Sequence, residues 1–582
     1  MTNAEVAHIF NEVADLLEIK GADPFRINSY RRVARTIADL PTDINELAGA
    51  GRLSSLPGVG KSSVAKIEEL LRTGRLAMRD ELLREVPATL LELLRIPGLG
   101  PKKIAVLWKE RGIESLEDLK TAISTGKLEG LRGFGDKSIA KLADGIAFVE
   151  RAAGRTRLGE AWQVAETLRE AVAAMPGVTR VEHAGSLRRG KETVGDLDLL
   201  CVADDGGGVV RAFCELPYVS RILAAGDTKG SVLVEYAPGA EIQVDLRVVP
   251  AGSFGAAWQY FTGSKEHNVR LRELAVKRGW SLNEYALSEA DSGRVIASRR
   301  EEDIYQALGL PWIPPELRED RGEFELREAP ADLLALDDIR GDLHMHTEAS
   351  DGRCTIEQMA LAARDRGYEY ICITDHSVSS SIANGLDADR LREHIAAIRA
   401  VNRKLRGITV WAGAEVDILA DGSLDYDDEL LAQLDLVIAS IHSGLTKDAQ
   451  VNTQRTLAAI RHPLVNIVAH PTGRMIGVRK AMELDMAAIC QAAAETGTAL
   501  EINANTYRLD LKDRHARLAV ESGAVLSINC DAHSTEGFEQ MRFGVVTARR
   551  GWVRRGQVVN TWPARKIASW VKAKRKRLGA GG

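Results

Sequence analysis

At 582 residues the chain is too long for a single hydrophobic core, and three to five domains are expected. A formal net charge of −5 argues against a uniformly basic nucleic-acid binder, although an average over this length leaves room for basic segments. No apolar run reaches transmembrane length, and the six cysteines have no Cys-x-x-Cys spacing, which points to a reducing cytosol without disulfides.

The first 150 residues read as helical. Val6, Ile9, Phe10, Val13, Leu16 and Leu17 recur at helical spacing in a segment that also carries Glu5, Glu12 and Asp15, so it is an amphipathic helix and not a signal peptide. Two near-repeats follow, Leu56-Pro57-Gly58-Val59-Gly60-Lys61 and Ile96-Pro97-Gly98-Leu99-Gly100-Pro101. A weaker third is Leu131-Arg132-Gly133-Phe134-Gly135-Asp136-Lys137. Each reads as a tight apolar-Gly-apolar-Gly turn between two helices, with N–H groups left at the start of the second helix to hold a DNA phosphate. One copy is an ordinary helix turn; three make a helix-hairpin-helix region. Lys66 flanks the apolar stripe Val64, Ile67, Leu70 and Leu71 and by itself reads as a solvated lysine.

Residues 151–252 alternate helix and strand and form a small mixed α/β domain. A helix is expected over 162–174, a strand over 178–184, and a flexible loop tip at Gly206-Gly207-Gly208. Between them, Gly185-Ser186-Leu187-Arg188-Arg189-Gly190 leads into Gly195-Asp196-Leu197-Asp198. On a strand Asp196 and Asp198 share a face. A second alternating run, Ile242 to Val248, puts Asp245 on its polar face between Gln243 and Arg247. Three carboxylates brought together repel unless cations sit between them, and hard oxygen ligands suit Mg²⁺ or Mn²⁺ in in-line phosphoryl transfer. Residues 253–316 carry an aromatic pair and a glycine turn, Tyr260-Phe261-Thr262-Gly263. A helix follows with Asn268 and Arg272 at i, i+4, suited to a base and sugar pocket.

Residues 317–336 are charged and read as a linker. Beyond them, seven strand-like runs end in a histidine or carboxylate, with helical stretches between, which suggests a closed parallel barrel with its chemistry at the C-terminal strand ends. Asp342, His344 and His346 are expected on one strand face. The endings His344, His346, Asp351, His376, Glu415, His442, His470, Asp531 and His533 are too many for one ion and suit two or three Zn, Mn or Fe ions. The basic end, Arg565-Lys566, Lys572 and Lys574 to Arg577, reads as solvated or as a grip on DNA.

Residues 1–316 resemble the family X DNA polymerases. The likeness is carried by the hairpins, the Gly-Ser…Asp-x-Asp turn, the third aspartate and Tyr260-Phe261-Thr262-Gly263-Ser264. Residues 337 to about 560 resemble the PHP (polymerase and histidinol phosphatase) domain, and the order of the two is similar to that in the bacterial PolX repair polymerases. The resemblance implies an all-α helix-hairpin-helix region, an α+β palm with a thumb-like subdomain, and a distorted (β/α)7 barrel. The boundaries are 1–82 (lyase-like), 83–150, 151–252 (palm), 253–316 (thumb-like), the 317–336 linker and 337–582. It implies that Asp196, Asp198 and Asp245 bind two Mg²⁺ or Mn²⁺ ions, with Asp245 deprotonating the primer 3′-hydroxyl. Ser186, Arg189 and the backbone at Gly195 would hold the nucleotide phosphates. Tyr260, Phe261 and Gly263 would line the sugar, and Asn268 and Arg272 would face the base pair. Lys66 falls at a lyase nucleophile position, with Arg26 and Tyr30 near a 5′-phosphate pocket, and Gly58, Gly60, Gly98, Gly100, Gly133 and Gly135 would contact DNA.

The nine barrel ligands imply a working nuclease. Lys265 and Gln243 depart from the animal members, which carry aspartate at the first position and in some cases arginine at the second. The implied function is gap filling on gapped or nicked duplex DNA with dNTPs in repair. A 3′-5′ exonuclease would accompany it, with AP endonuclease and 5′-deoxyribose phosphate lyase as further activities of a cytoplasmic, nucleoid-associated monomer. A template-independent nucleotidyltransferase and a small-molecule phosphatase are the alternatives.

Overall fold

The computed structural model describes residues 1, 3–38, 40, 44–94, 96, 98–152 and 154–579. It falls into two compact units, Met1–Ala153 with Gly477–Lys480, and Gly154–Ile476 with Ala481–Gly582. All six cysteines are unpaired, and among the described residues no helix is long and apolar enough to cross a membrane.

The first unit is helical, and its three hairpins are geometrically equivalent. The first glycine of each has positive φ (Gly58 +75°, Gly98 +84°, Gly133 +88°). The apolar residue after it, Val59, Leu99 or Phe134, is buried. The second glycine then accepts the opening helical hydrogen bonds, at 3.0 Å for Gly60 O to Val64 N, 3.1 Å for Gly100 O to Ile104 N and 3.0 Å for Gly135 O to Ile139 N. The third copy, weakest in sequence, folds like the others because the turn needs only the two glycines and one buried side chain. Pro97 of the second motif lies outside the described residues.

In the second unit the palm sheet contains β1 (Val178–His183), β2 (Asp196–Ala203), β3 (Val219–Ala225), β4 (Lys229–Ala237) and β5 (Ala240–Val248) in the order β1-β2-β5-β4-β3. Only β2 and β5 are parallel, and their register sets Asp198 opposite Asp245. The glycine run expected as a loop tip instead opens the helix Gly206–Cys214, because the Asp205 side chain accepts the Gly208 N–H at 2.9 Å and caps it.

The charged stretch 317–336 is not a loose linker. Arg318 and Glu323 are fully buried, as is Leu334. Its buried charges have partners: Arg318 donates to Glu301 at 2.7 Å, and Glu323 accepts from the Asp320 and Arg321 N–H groups.

The barrel follows as β6 (Gly341–Asp342), β7 (Tyr370–Ile373), β8 (Thr409–Asp417), β9 (Leu436–Ser440), β10 (Ile467–Val468), β11 (Ala499–Asn503) and β12 (Leu526–Asn529). All are parallel and pair in sequence order, and a Met345–Ala532 bridge nearly closes the ring. The first strand is short, so His344 and His346 lie past its end, and Asp342 accepts the backbone N–H groups of His344 and Cys530 instead of joining the ligands. The basic end is neither free nor fully solvated. It forms the helix Ala564–Arg577, which buries Ile567, Val571 and Lys574. Lys574, Arg575 and Arg577 donate to carbonyls of Val465, Leu434 and Glu495. Long cations use their stems as packing surface and their heads to satisfy carbonyls.

Candidate active sites

The palm site begins with Gly185. Its φ of +62° is open to glycine, and a Cβ there would lie 2.3 Å from Asp198 Oδ2. The turn therefore passes its backbone against the carboxylate and leads into the short helix Gly185–Arg188. Asp196 is exposed, Asp198 half-buried and Asp245 buried. Asp198 is pushed up to about 7, first by burial and then by the charges of Asp196 and Asp245. Asp245 is held below the ordinary range: burial opposes this, but hydrogen bonds from Lys229, Gln243 and Ser231 prevail. The Lys229 ammonium sits 2.7 Å from Asp245 Oδ2, which shows what this face of the sheet attracts. A carboxylate raised by burial and by two neighbouring carboxylates fits a site for divalent cations.

Around the triad the structure places the other expected residues with stated partners. Arg189 donates to Thr262 O at 2.7 Å and to Glu319 at 3.1 Å. Ser186 is half-buried, and its carbonyl accepts the Lys191 N–H. Gly195 lies beside Arg155. The Tyr260 and Phe261 rings meet edge to face at 5.1 Å, with Arg247 over Phe261. Gly263 leaves room for Asn268, whose amide donates to Tyr260 O at 2.6 Å and accepts from Gln259. In this arrangement Asn268 holds the end of the helix Phe254–Thr262, and Arg272 is exposed one turn further on.

Sequence reasoning missed the ion network beneath. Arg188 pairs with both oxygens of Glu301 at 2.8 Å and lies over the Trp258 ring, and the fully buried Arg318 shares Glu301. Burial works against the Glu301 carboxylate, but Arg318 and Arg188 hold it down to about 2. The Arg188-Arg189 doublet was the available signal.

In the first unit, Lys66 is half-buried, donates to Ser62 Oγ at 2.6 Å and lies 5.9 Å from the Tyr30 ring. Tyr30 and Arg26 both reach the Met78 sulfur. The three residues therefore share one neighbourhood.

All nine candidate ligands of the barrel converge. Three sets offer ligand atoms within 4.8 Å of one another: His346, Asp351, His376 and His533; His344, His346 and Asp531; His376, Glu415 and His442. His470 joins through Nε2, 2.8 Å from Glu415 Oε1. His346 stacks between His376 and His533 at 4.3 and 4.4 Å. Buried His346 Nδ1, His376 Nδ1, His470 Nδ1 and Glu415 Oε2 have no hydrogen-bond partner, although the second and fourth are 3.0 Å apart. Buried polar atoms left without partners among clustered imidazoles and carboxylates suit a site for metal ions. Two ligands, His470 (φ +26°) and Asp531 (φ +53°), hold left-handed backbone.

Burial first, then the neighbouring His376 and His533, push His346 down to about 4, which leaves a neutral imidazole. His442 and His533 go the other way, to about 10 and about 9, because Glu415 with Asp417, and Asp351 with Asp531, overcome burial. The supporting carboxylates were not named from sequence. Glu501 accepts from His344 Nδ1 at 2.8 Å and Asp417 from His442 Nδ1 at 2.9 Å, each fixing a ring so that Nε2 faces inward. Both were legible as acids two residues from another polar strand-end residue.

Family profiles match the chain as a helix-hairpin-helix domain (1–76), a SAM-like helix-hairpin-helix tandem (90–147), a DNA polymerase beta thumb (257–319) and a PHP domain (342–505). The chain is 39% identical to the DNA polymerase/3′-5′ exonuclease PolX of Bacillus subtilis over 572 residues, which cover 98% of this chain and 100% of that protein. It is 29% identical to DNA polymerase lambda of Rattus norvegicus over 54% of this chain and 56% of that one. A Thermoanaerobacter protein named "Probable phosphatase" matches 41% of the chain at 27% identity, over 96% of its own length.

Proposed function

Because this chain belongs to the PolX family of DNA polymerases, with a family X polymerase joined to a PHP domain, we propose that its two sites act on the same substrate, the 3′ end of a DNA strand, in opposite directions. The chain is a DNA polymerase and 3′-5′ exonuclease. The palm fills short gaps in gapped or nicked duplex with dNTPs, and the barrel shortens the strand.

The parallel register that sets Asp198 opposite Asp245 carries the polymerase reading. Asp196, Asp198 and Asp245 hold Mg²⁺ or Mn²⁺, and when bound these ions neutralise the triphosphate and ease loss of the hydroxyl proton. Asp245 accepts that proton from the primer 3′-hydroxyl. Ser186, Arg189 and the backbone at Gly195 bind the phosphates, and Tyr260, Phe261 and Gly263 border the sugar. Arg272 reaches the base pair, with Asn268 keeping the Tyr260 carbonyl in place.

In the barrel the nine ligands hold two or three ions of Zn, Mn or Fe type. Glu501 and Asp417 orient the rings of His344 and His442. The same cluster suits abasic-site cleavage. Lys66, with Tyr30 and Arg26, forms a lyase site in which the amine attacks the abasic sugar aldehyde. The protein works as a monomer in the cytoplasm near the nucleoid.

The deciding assay is a 5′-phosphorylated one-nucleotide gap with a labelled primer, in Mg²⁺ and in Mn²⁺. Extension with dNTP that Asp198→Ala abolishes, and shortening without dNTP that His344→Ala abolishes, are expected. Full extension by Asp198→Ala refutes the palm assignment. Borohydride trapping on an abasic substrate tests Lys66, and an adduct that persists in Lys66→Ala removes it.

A further inference from the structure

We infer that the cavity between the palm, the segment after the thumb and the barrel is a second phosphate-binding site, built to take a polyphosphate or a stretch of nucleic-acid backbone.

The cavity has a volume of about 480 Å³, and six cations line it: Arg155, Lys191, Arg321, Lys512, Arg514 and Arg550. Three carboxylates also line it, and each is already engaged. Glu319 is taken by Arg189 and Arg550 at 3.1 Å each and by Lys191 at 3.6 Å. Asp513 is taken by Arg321 at 3.0 Å and Arg550 at 3.1 Å, and Glu192 by Arg474 at 2.7 Å. Arg155 donates only to the Thr193 hydroxyl and carbonyl. Among the described residues Lys512 and Arg514 have no acidic partner. A cationic surplus therefore faces a half-open cleft, with Arg155 and Arg514 exposed to solvent.

No aromatic or large apolar side chain lines the cavity. It reads charge and not a base, so its ligand is recognised through phosphate. The N-terminus of the helix Asp513–Glu521 adds its dipole on the same wall. The titrating groups agree with an anion-seeking field. Lys191 is held below the ordinary lysine range by burial and, against Glu319, by Arg550 and Arg189. His515, beside the cavity wall, is pushed down to about 4 by burial and then by Lys512 and Arg474. The palm wall is Gly190 to Thr193, the loop between Arg189 and Asp196. A Cβ at Gly190 would lie 1.9 Å from Val546 Cγ1, so the helix Met541–Arg550 closes directly on this loop.

None of the lining residues is a candidate metal ligand, and the test does not depend on either activity. Full-length protein in chelator and low salt is titrated with inorganic tripolyphosphate and, separately, with an oligothymidylate. The double variant Lys512→Ala/Arg514→Ala removes two cations that hold no carboxylate, and Arg155→Ala probes the opposite wall. Both are accepted only if their unliganded melting midpoint matches the parent. Binding weakened roughly tenfold or more in both variants, and kept by Lys512→Arg/Arg514→Lys, is expected. If only tripolyphosphate responds, the ligand is a free polyphosphate. If the oligonucleotide responds, the cavity guides a strand, and the slope of log affinity against log salt falls by about 1.4 in the double variant, at roughly 0.7 per phosphate contact. Parent and variants binding both probes equally, or a parent binding neither, overturns the inference.

Discussion

The palm and the barrel both gather side chains of the kind that suit cations, in opposite ways. The palm uses three carboxylates on two neighbouring strands, one of them exposed and one already paired with a lysine. The barrel gathers nine candidate ligands from at least six strand ends; four of them are at most 2% exposed, and neighbouring carboxylates fix two of the rings. An open triad needs its substrate's phosphates to complete the site, so cations can come and go with each nucleotide. A more deeply buried cluster would keep any ions it takes as part of the fold. The contrast matches a site that must accept and release a triphosphate and one that must hold a hydrolytic centre ready.

The sharpest way to break the comparison is to disable one site alone. Asp198→Asn is expected to slow gap filling on the order of 10³-fold, while shortening of the same primer without dNTP is unchanged. Loss of both activities in a gel-based primer assay would show that the sites are not independent. Chelation comes next. Binding of Mn²⁺ at a hundred times its dissociation constant stabilises the barrel by about 2.7 kcal/mol, and the melting midpoint in a calorimeter is expected to follow the metal, with Asp198→Asn changing this little.

The same experiment has a pH dependence. In the metal-free protein His442 and His533 are raised to about 10 and about 9, above the ordinary value of 6.5. Their contribution to stability is complete below about 6.5 and is lost as pH rises through 9 to 10. Metal affinity should rise over that window because the ligands must shed protons. A metal-free protein that becomes more stable from pH 7 to 9 would contradict this ordering.

Glu301→Gln sharpens the palm side. It leaves Arg318 and Arg188 buried without their shared carboxylate and is expected to cost about 3–5 kcal/mol. With Glu301 held down to about 2, its stabilisation is present above about 4.5 and disappears as pH falls toward 2. Acid unfolding followed by circular dichroism should lose this component in the variant. Gly185→Ala has the smallest expected effect on stability, about 1–3 kcal/mol from the positive φ. Its new Cβ, 2.3 Å from Asp198 Oδ2, should nonetheless lower extension more than shortening.

Much of both sites was legible because their chemistry is periodic. Asp196 and Asp198 announce a strand face, and Asp245 sits in an alternating run. The histidines of the barrel fall at the ends of apolar runs, where a parallel barrel gathers its chemistry. What escaped was whatever depends on a partner far along the chain. Arg318 and Glu323 looked like charges of a linker, and their burial is made tolerable by Glu301 and the Ile313 carbonyl for the first and by His267 and the Asp320 and Arg321 N–H groups for the second. Glu501 was one acid in a short strand until His344 gave it a role. Gly206 to Gly208 looked like a loop tip because glycine is a poor helix former, and the Asp205 cap reversed that reading.

The sequence by itself determined the hairpin repeats, the α/β alternation and which carboxylates and imidazoles gather at the strand ends. Those follow from spacing, and spacing is local. Tertiary structure alone decided that β2 and β5 run parallel with Asp198 facing Asp245, that the basic end plugs carbonyls beneath the barrel, and that Arg550 reaches Glu319 and the carbonyl of Arg189. The reason is physical: a buried charge or an unpaired carbonyl is costly until some other segment satisfies it, and which segment does so is fixed only when the whole chain has packed.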